Sequence, residues 1–138
     1  MPYRGVDYYG ISELLTDEER LSQATFRRFV DEEVLPTIAG HFRAGTFPRD
    51  LPRRLGALGA LGPSLTGYGC AGLSPTAYGL IMQELERGDT GVRSFASVQG
   101  SLVMYPIHSY GSDAQKDRWL PALCSGEAVG CFGLTEPD

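Results

Sequence analysis

Lysine is nearly absent from this sequence, with one against eleven arginines, and cysteine and histidine are sparse, with three and two. Seventeen acids outweigh the twelve basic residues for a net charge of −5, and the basic residues are scattered. A phosphate backbone calls for a concentrated positive surface, so no nucleic acid partner is expected. No apolar run approaches the ~20 residues that cross a bilayer, so no membrane partner is expected either. The opening residues, MPYRGVDYYG, lack both an apolar signal core and an Arg/Ser-rich transit pattern, which makes the cytoplasm the expected location. Cys70, Cys124 and Cys131 have no C-x-x-C spacing and sit among Gly, Ala and Leu. They read as small buried or half-buried side chains, forming neither a metal site nor a disulfide frame. Gly-x-Gly-x-x-Gly, the P-loop, the nucleophile elbow and H-E-x-x-H are missing too.

What the chain does contain is helix punctuation. At 138 residues, with 42% hydrophobic and 21% charged residues, it is long enough to bury one core. Thr16 and Glu19 form a capping box, and Phe26, Phe29, Val30 and Val34 follow at helical spacing. Leu35-Pro36 predicts a break or bend, because the residue before proline is pushed out of the helical region. A second helix is expected over 36–45. Asp50 is placed to cap a short helix carrying Leu51, Leu55 and Leu58, with Pro52 early and Gly59 late. Residues 61–73 (LGPSLTGYGCAGL) are too rich in glycine to be regular and read as a loop.

Ser74-Pro75 opens a helix with Tyr78, Ile81, Met82 and Leu85 as its buried stripe, ending at Gly88. Asp89 or Thr90 starts the next, which should run to about Tyr105-Pro106. Ser112 and Gln115 form a second capping box, ahead of Trp119, Leu120 and Leu123. Beyond Gly126 the pattern becomes extended and glycine-interleaved, the expected start of a strand. A lone strand leaves its ladder groups unpaired, so the chain is expected to be cut in mid-structure. The fold class is all-α.

Few residues suggest chemistry. In the helix after Thr90, Arg93, Ser94, Ser97 and Ser101 share a polar sector, with Phe95, Val98 and Leu102 opposite. One arginine with three small hydroxyls suits a cavity lining, and Arg's planar fork suits a carboxylate or phosphate. An arginine so placed is more often an ion-pair partner, here for Glu84, Glu86 or Asp89. The run 130–138 (GCFGLTEPD) lets a planar ligand approach the main chain, although an ordinary strand and Pro-Asp turn would look the same. His41 and His108 have no carboxylate or cysteine at ligand spacing and read as structural, so no metal is expected. The tyrosines read as packing and hydrogen-bonding residues.

The run 130–138 resembles the signature of acyl-CoA dehydrogenases that leads from their helical domain into the middle β-domain. Residues 67–72 (GYGCAG), 77–89 (AYGLIMQELERGD) and 92–111 (VRSFASVQGSLVMYPIHSYG) resemble the glutaryl-CoA dehydrogenases in particular, and 8–20 (YYGISELLTDEER) is similar to the start of bacterial members. The resemblance implies an N-terminal helical domain over 1–126 and the start of the β-domain over 127–138. It also implies FAD as cofactor, acyl-CoA (glutaryl-CoA) as substrate, an electron-transfer flavoprotein as acceptor and a homotetramer. By position, Phe132, Gly133, Leu134 and Thr135 would lie along the flavin, with Glu136, Pro137 and Asp138 shaping the turn beside it. Arg93 would bind the distal carboxylate of the substrate, with Ser94 and Ser97 in the acyl pocket. The implied reaction oxidises and decarboxylates glutaryl-CoA to crotonyl-CoA. Its general-base glutamate would lie beyond Asp138, so no catalytic residue is assigned here. Two other readings stay open: a short-chain or non-decarboxylating acyl-CoA dehydrogenase, and a non-catalytic helical remnant.

Overall fold

A computed structural model of the chain describes residues 7–134. A short 3₁₀ turn, Ile11–Leu14, leads into helix α1, Asp17–Phe29. The predicted capping box is formed: the Glu19 N–H donates to Thr16 Oγ1 at 3.3 Å, and the Thr16 N–H donates to Glu19 Oε2 at 2.9 Å. Phe26, Phe29, Val30 and Val34 are buried.

The second helix expected over 36–45 is present, but the chain does not leave the helical region at Leu35-Pro36 as a break would require. The chain passes through a π-helical stretch, Val30–Val34, and continues as α2, Leu35–Ala44, with Leu35 in the right-handed helical region (φ −55°, ψ −39°). The Leu35 N–H donates to the Val30 carbonyl, five residues back, so the ladder has shifted register before it reaches the proline. The carbonyls of Glu33 and Val34 instead receive the Thr37 hydroxyl, at 3.1 and 3.3 Å. The same device recurs later. Helix α4, Pro75–Gly88, is followed by α5, Thr90–Ser97, a π-helical segment, Val98–Met104, and α6, Tyr105–Tyr110, so the helical run continues past the expected stop at Pro106.

Between these runs, α3 spans Leu51–Ala57 and α7 spans Asp113–Cys124. Asp50 precedes α3 but makes no side-chain cap, since its backbone is already helical (φ −84°, ψ −13°). At the other end Gly59 (φ +76°) closes the helix as a Schellman motif, with the Ala60 N–H donating to the Leu55 carbonyl at 2.9 Å. The other caps are as expected: Ser74 on α4, Asp89 on α5 and the Ser112–Gln115 box on α7. No helix among the described residues is long and apolar enough to cross a membrane.

The core gathers Phe26 and Val30, Leu55, Ile81 and Leu85, Met104 and Leu120, with α4 sandwiched between α1 and α5. The loop after α3 is irregular, as predicted, yet Ala60, Leu61 and Leu65 are buried in this core. Glu84, only 1% exposed, joins α1 to α4: Arg27 donates to its Oε1 at 2.8 Å and Arg87 to its Oε2 at 2.9 Å. Several aromatics expected to pack lie outside, with Tyr8, Tyr9, Tyr105, Tyr110 and Trp119 exposed.

Helices α3 and α7 meet through backbone. A Cβ on Gly56 would lie 2.4 Å from the Ser125 carbonyl group, and one on Gly126 would lie 2.1 Å from the Pro52 oxygen. Gly56→Ala should therefore cost about 1–3 kcal/mol through forced separation of the two helices. Gly79→Ala, in α4 where a Cβ meets nothing within 4 Å, should gain up to about 1 kcal/mol of helix propensity. Paired thermal melts check both, and shifts of the same sign would defeat the close-contact account.

Candidate functional site

The helical run from Thr90 carries the first half of the candidate site and the residue that anchors the second. Asp89 anchors its start by accepting the Val92 N–H at 3.0 Å. Arg93 then emerges half-exposed, and its Nε donates to Glu86 Oε2 at 2.5 Å across the turn between α4 and α5. Glu86 is held in turn by the Thr90 hydroxyl at 2.7 Å. Of the three acids that spacing offered to Arg93, Glu86 is the one that pairs; Glu84 is committed to Arg27 and Arg87, and Asp89 to its cap.

The predicted polar sector is present in part. Arg93 Nη1 reaches Ser97 Oγ at 3.4 Å, the Ser97 hydroxyl donates to the Ser94 carbonyl at 3.0 Å, and Ser101 donates to the Ser97 carbonyl at 2.5 Å. Arg93 Nη2 has no protein partner among the described residues. One edge of the guanidinium fork thus remains open to an anion beside small hydroxyls.

The opposite face meets the expectation in part. Val92, Ala96, Gln99, Gly100, Val103 and Met104 are buried, whereas Leu102 is exposed. Phe95 and Val98 pack partly buried against the core as expected, but the π-helical segment adds residues to each turn, which rotates Leu102 outward and brings Met104 in. Gln99 lies seven residues after Val92 and three after Ala96, on the same inward stripe, and is 2% exposed. Its side chain takes both polar groups of Gly130: Nε2 donates to the carbonyl at 2.8 Å, and the Gly130 N–H donates to Oε1 at 2.9 Å. Sequence reading missed this residue, although its spacing from Val92, Ala96 and Val103 places it on the inward stripe.

Gly130 opens the other half of the site. Residues 127–134 form no strand, and beyond Gly130 the chain runs out with Cys131, Phe132, Gly133 and Leu134 exposed. Cys131 was expected to be at least half-buried; it is exposed because it follows the last anchored residue. Cys124 is buried and Cys70 half-buried, as expected, with burial the main cause pushing the Cys70 thiol up to about 12. A Cβ on Gly133 would meet nothing within 4 Å, so the main chain there is open to a planar ligand. The described part of the run therefore leaves room beside its main chain for a planar group. Thr135, Glu136, Pro137 and Asp138 lie outside the described residues. The two histidines are tied to the scaffold, His41 Nδ1 to Thr46 Oγ1 at 2.9 Å and His108 Nε2 to the Thr66 carbonyl at 3.0 Å. No cluster of metal-ligating side chains occurs among the described residues.

This helical scaffold corresponds to a known domain: the profile of the acyl-CoA dehydrogenase N-terminal domain matches residues 16–127. The chain belongs to the acyl-CoA dehydrogenase family. A glutaryl-CoA dehydrogenase from Mycobacterium smegmatis, solved in complex with FADH2, superposes with a TM-score of 0.91 at 52% identity, covering 94% of this chain and 33% of that one. Butyryl-CoA dehydrogenase from Megasphaera elsdenii superposes at 0.81 with 31% identity, over 96% of this chain and 34% of that one. The human mitochondrial short-chain specific acyl-CoA dehydrogenase is 34% identical over 124 residues, 89% of this chain and 30% of that protein. The chain thus spans about a third of the length of its relatives. The FADH2 of the first relative supports FAD as the family's cofactor.

The Arg93 side chain holds the Glu86 carboxyl below its ordinary value of 4.5, with a smaller contribution from the Thr90 hydroxyl. A depressed carboxyl stabilises the fold above that ordinary value, and the contribution fades as pH falls through the lowered one. An NMR titration should therefore place Glu86 below 4.5 and show its midpoint rising in Arg93→Ala. An unmoved midpoint would assign the whole effect to Thr90.

Proposed function

We propose that this chain serves as the helical domain of an FAD-dependent acyl-CoA dehydrogenase acting on glutaryl-CoA, with residues 127–138 opening the middle β-domain. The observation that carries the substrate is Arg93, a half-exposed guanidinium with one nitrogen open, on a face otherwise made of small hydroxyls. A plain acyl chain has no charge for it to meet. A dicarboxylic acyl group ends in a carboxylate that the open edge of the fork accepts, while Ser94 and Ser97 lend polar lining. The identity of 52% to a glutaryl-CoA dehydrogenase, against 31% and 34% to butyryl and short-chain enzymes, supports the same choice.

Glu86 has a second consequence under this reading. It keeps Arg93 neutralised and oriented before substrate arrives, so the incoming carboxylate meets a prearranged fork. FAD, when bound, supplies the two-electron acceptor for oxidation of the acyl group. Phe132, Gly133, Leu134 and Thr135 would line the flavin, with Glu136, Pro137 and Asp138 at the adjoining turn. An electron-transfer flavoprotein as final acceptor and a homotetrameric assembly belong to the same proposal.

A second reading, oxidation of an uncharged short acyl group, is favoured by the curated short-chain relatives. Steady-state kinetics of the complete flavoprotein separate the two. Arg93→Ala should lower kcat/KM for glutaryl-CoA about 10- to 100-fold, the loss of one or two charge-assisted hydrogen bonds, while butyryl-CoA changes little. Equal losses on both substrates would make Arg93 structural. Release of CO2 from glutaryl-CoA is expected, and a product that keeps its carboxylate would exclude the decarboxylating reaction.

A further inference from the structure

Gln99 is a buried polar side chain whose amide is spent on a single residue. It pairs with the Gly130 N–H and carbonyl at 2.9 and 2.8 Å, the two bonds a neighbouring β-strand would offer. Gly130 is held closely enough that a Cβ there would lie 2.3 Å from Val103 Cγ1. Upstream, the Ala128 N–H donates to the Ala122 carbonyl at 3.0 Å. Downstream, among the described residues, no further hydrogen bond holds 131–134. Gly130 is therefore the last fixed point before the run proposed to face the flavin. Gln99 lies on the same helical run as Arg93, Ser94 and Ser97.

We propose that Gln99 is a positioning residue: its amide clamps Gly130 and so fixes the run that begins at Cys131 against the helical face that receives the acyl group. The clamp rests on the flavin reading of that run. A β-hydrogen can reach a flavin only when the two are held in register, and displacements near 1 Å cost heavily in such transfers. An apolar residue would fill the same space, but it would leave two backbone groups of Gly130 without partners.

The test uses the complete flavoprotein and whichever acyl-CoA the wild type oxidises fastest. Gln99→Met keeps the volume and removes both bonds; Gln99→Glu keeps the acceptor and loses the donor when ionised. For Gln99→Met, kcat should fall about tenfold or more with KM changed less than about threefold, and FAD should bind about tenfold more weakly. For Gln99→Glu, FAD affinity should become pH-dependent and tighter on the acid side, where a protonated carboxyl donates again. A variant that melts earlier but keeps wild-type flavin absorption, FAD affinity and kcat would overturn the proposal.

Hydrogen exchange in the wild type gives a check that does not depend on any variant folding. The Gly130 amide should be protected with FAD bound and after its removal. Protection that appears only with FAD would mean that the flavin orders the segment and Gln99 does not. A wild type that purifies without FAD defeats the flavin reading and the clamp's purpose together. One that holds FAD but prefers butyryl-CoA defeats only the substrate reading.

Discussion

Close approach of glycine backbone to the segment Val98–Met104 is the constraint on which the other contacts depend. Gly100 lies against Gly62, where a Cβ would stand 3.3 Å from the Gly62 nitrogen; Gly62 itself (φ +64°) sits under Met104; Gly130 presses on Val103. A loop and an outgoing chain thus rest closely on one turn and a half of helix, backbone on backbone at Gly100 and Gly62 and glycine on side chain at Met104 and Val103. Such contacts are possible only where no Cβ intrudes, and they explain why glycines occur inside helices and buried loops where propensity alone disfavours them. The π-helical geometry completes the arrangement by turning Met104 inward and Leu102 outward, where a regular helix would show the opposite.

Carboxylates tie the outer surfaces of the same framework together. Glu19 closes the capping box of α1 and accepts the Ser74 hydroxyl at 2.8 Å, joining the starts of α1 and α4. Glu84 gathers Arg27 and Arg87, and Arg87 goes on to Asp31 at 2.8 Å. Glu86 takes Arg93. Arginine suits these places because its planar fork makes several directed bonds to fixed carboxylates, which a lysine ammonium does not. The arginines remain partly solvated, so these pairs contribute more to orientation than to stability. That orientation is what matters at Arg93, where a prearranged fork is more useful than a tightly bound one.

Much of this framework is legible in the sequence. Thr16 with Glu19, Ser74, Asp89 and Ser112 with Gln115 each cap the helix they were expected to cap, because a cap is a local hydrogen bond between residues two or three apart. The prolines misled for the converse reason. The restriction on Leu35 and Tyr105 is also local, but it is met by a register shift upstream, and that shift is stabilised by packing of Val30, Val34, Val103 and Met104 into the core. Asp50 failed as a cap because the preceding turn had already placed its backbone in the helical region.

The sequence by itself determined the helical class, the ends of most helices, the family and the polar face bearing Arg93, since each rests on spacing within a few residues or on a run of recognisable motif. Only the tertiary structure decided that Arg93 pairs with Glu86 rather than with Glu84 or Asp89, that Leu102 turns outward, and that the Gln99 amide holds Gly130, thirty-one positions away. The physical reason is that partner choice depends on which side chains converge after helices pack. The π turn then shifts the facing of every residue after it by an amount the 3.6-residue period does not contain.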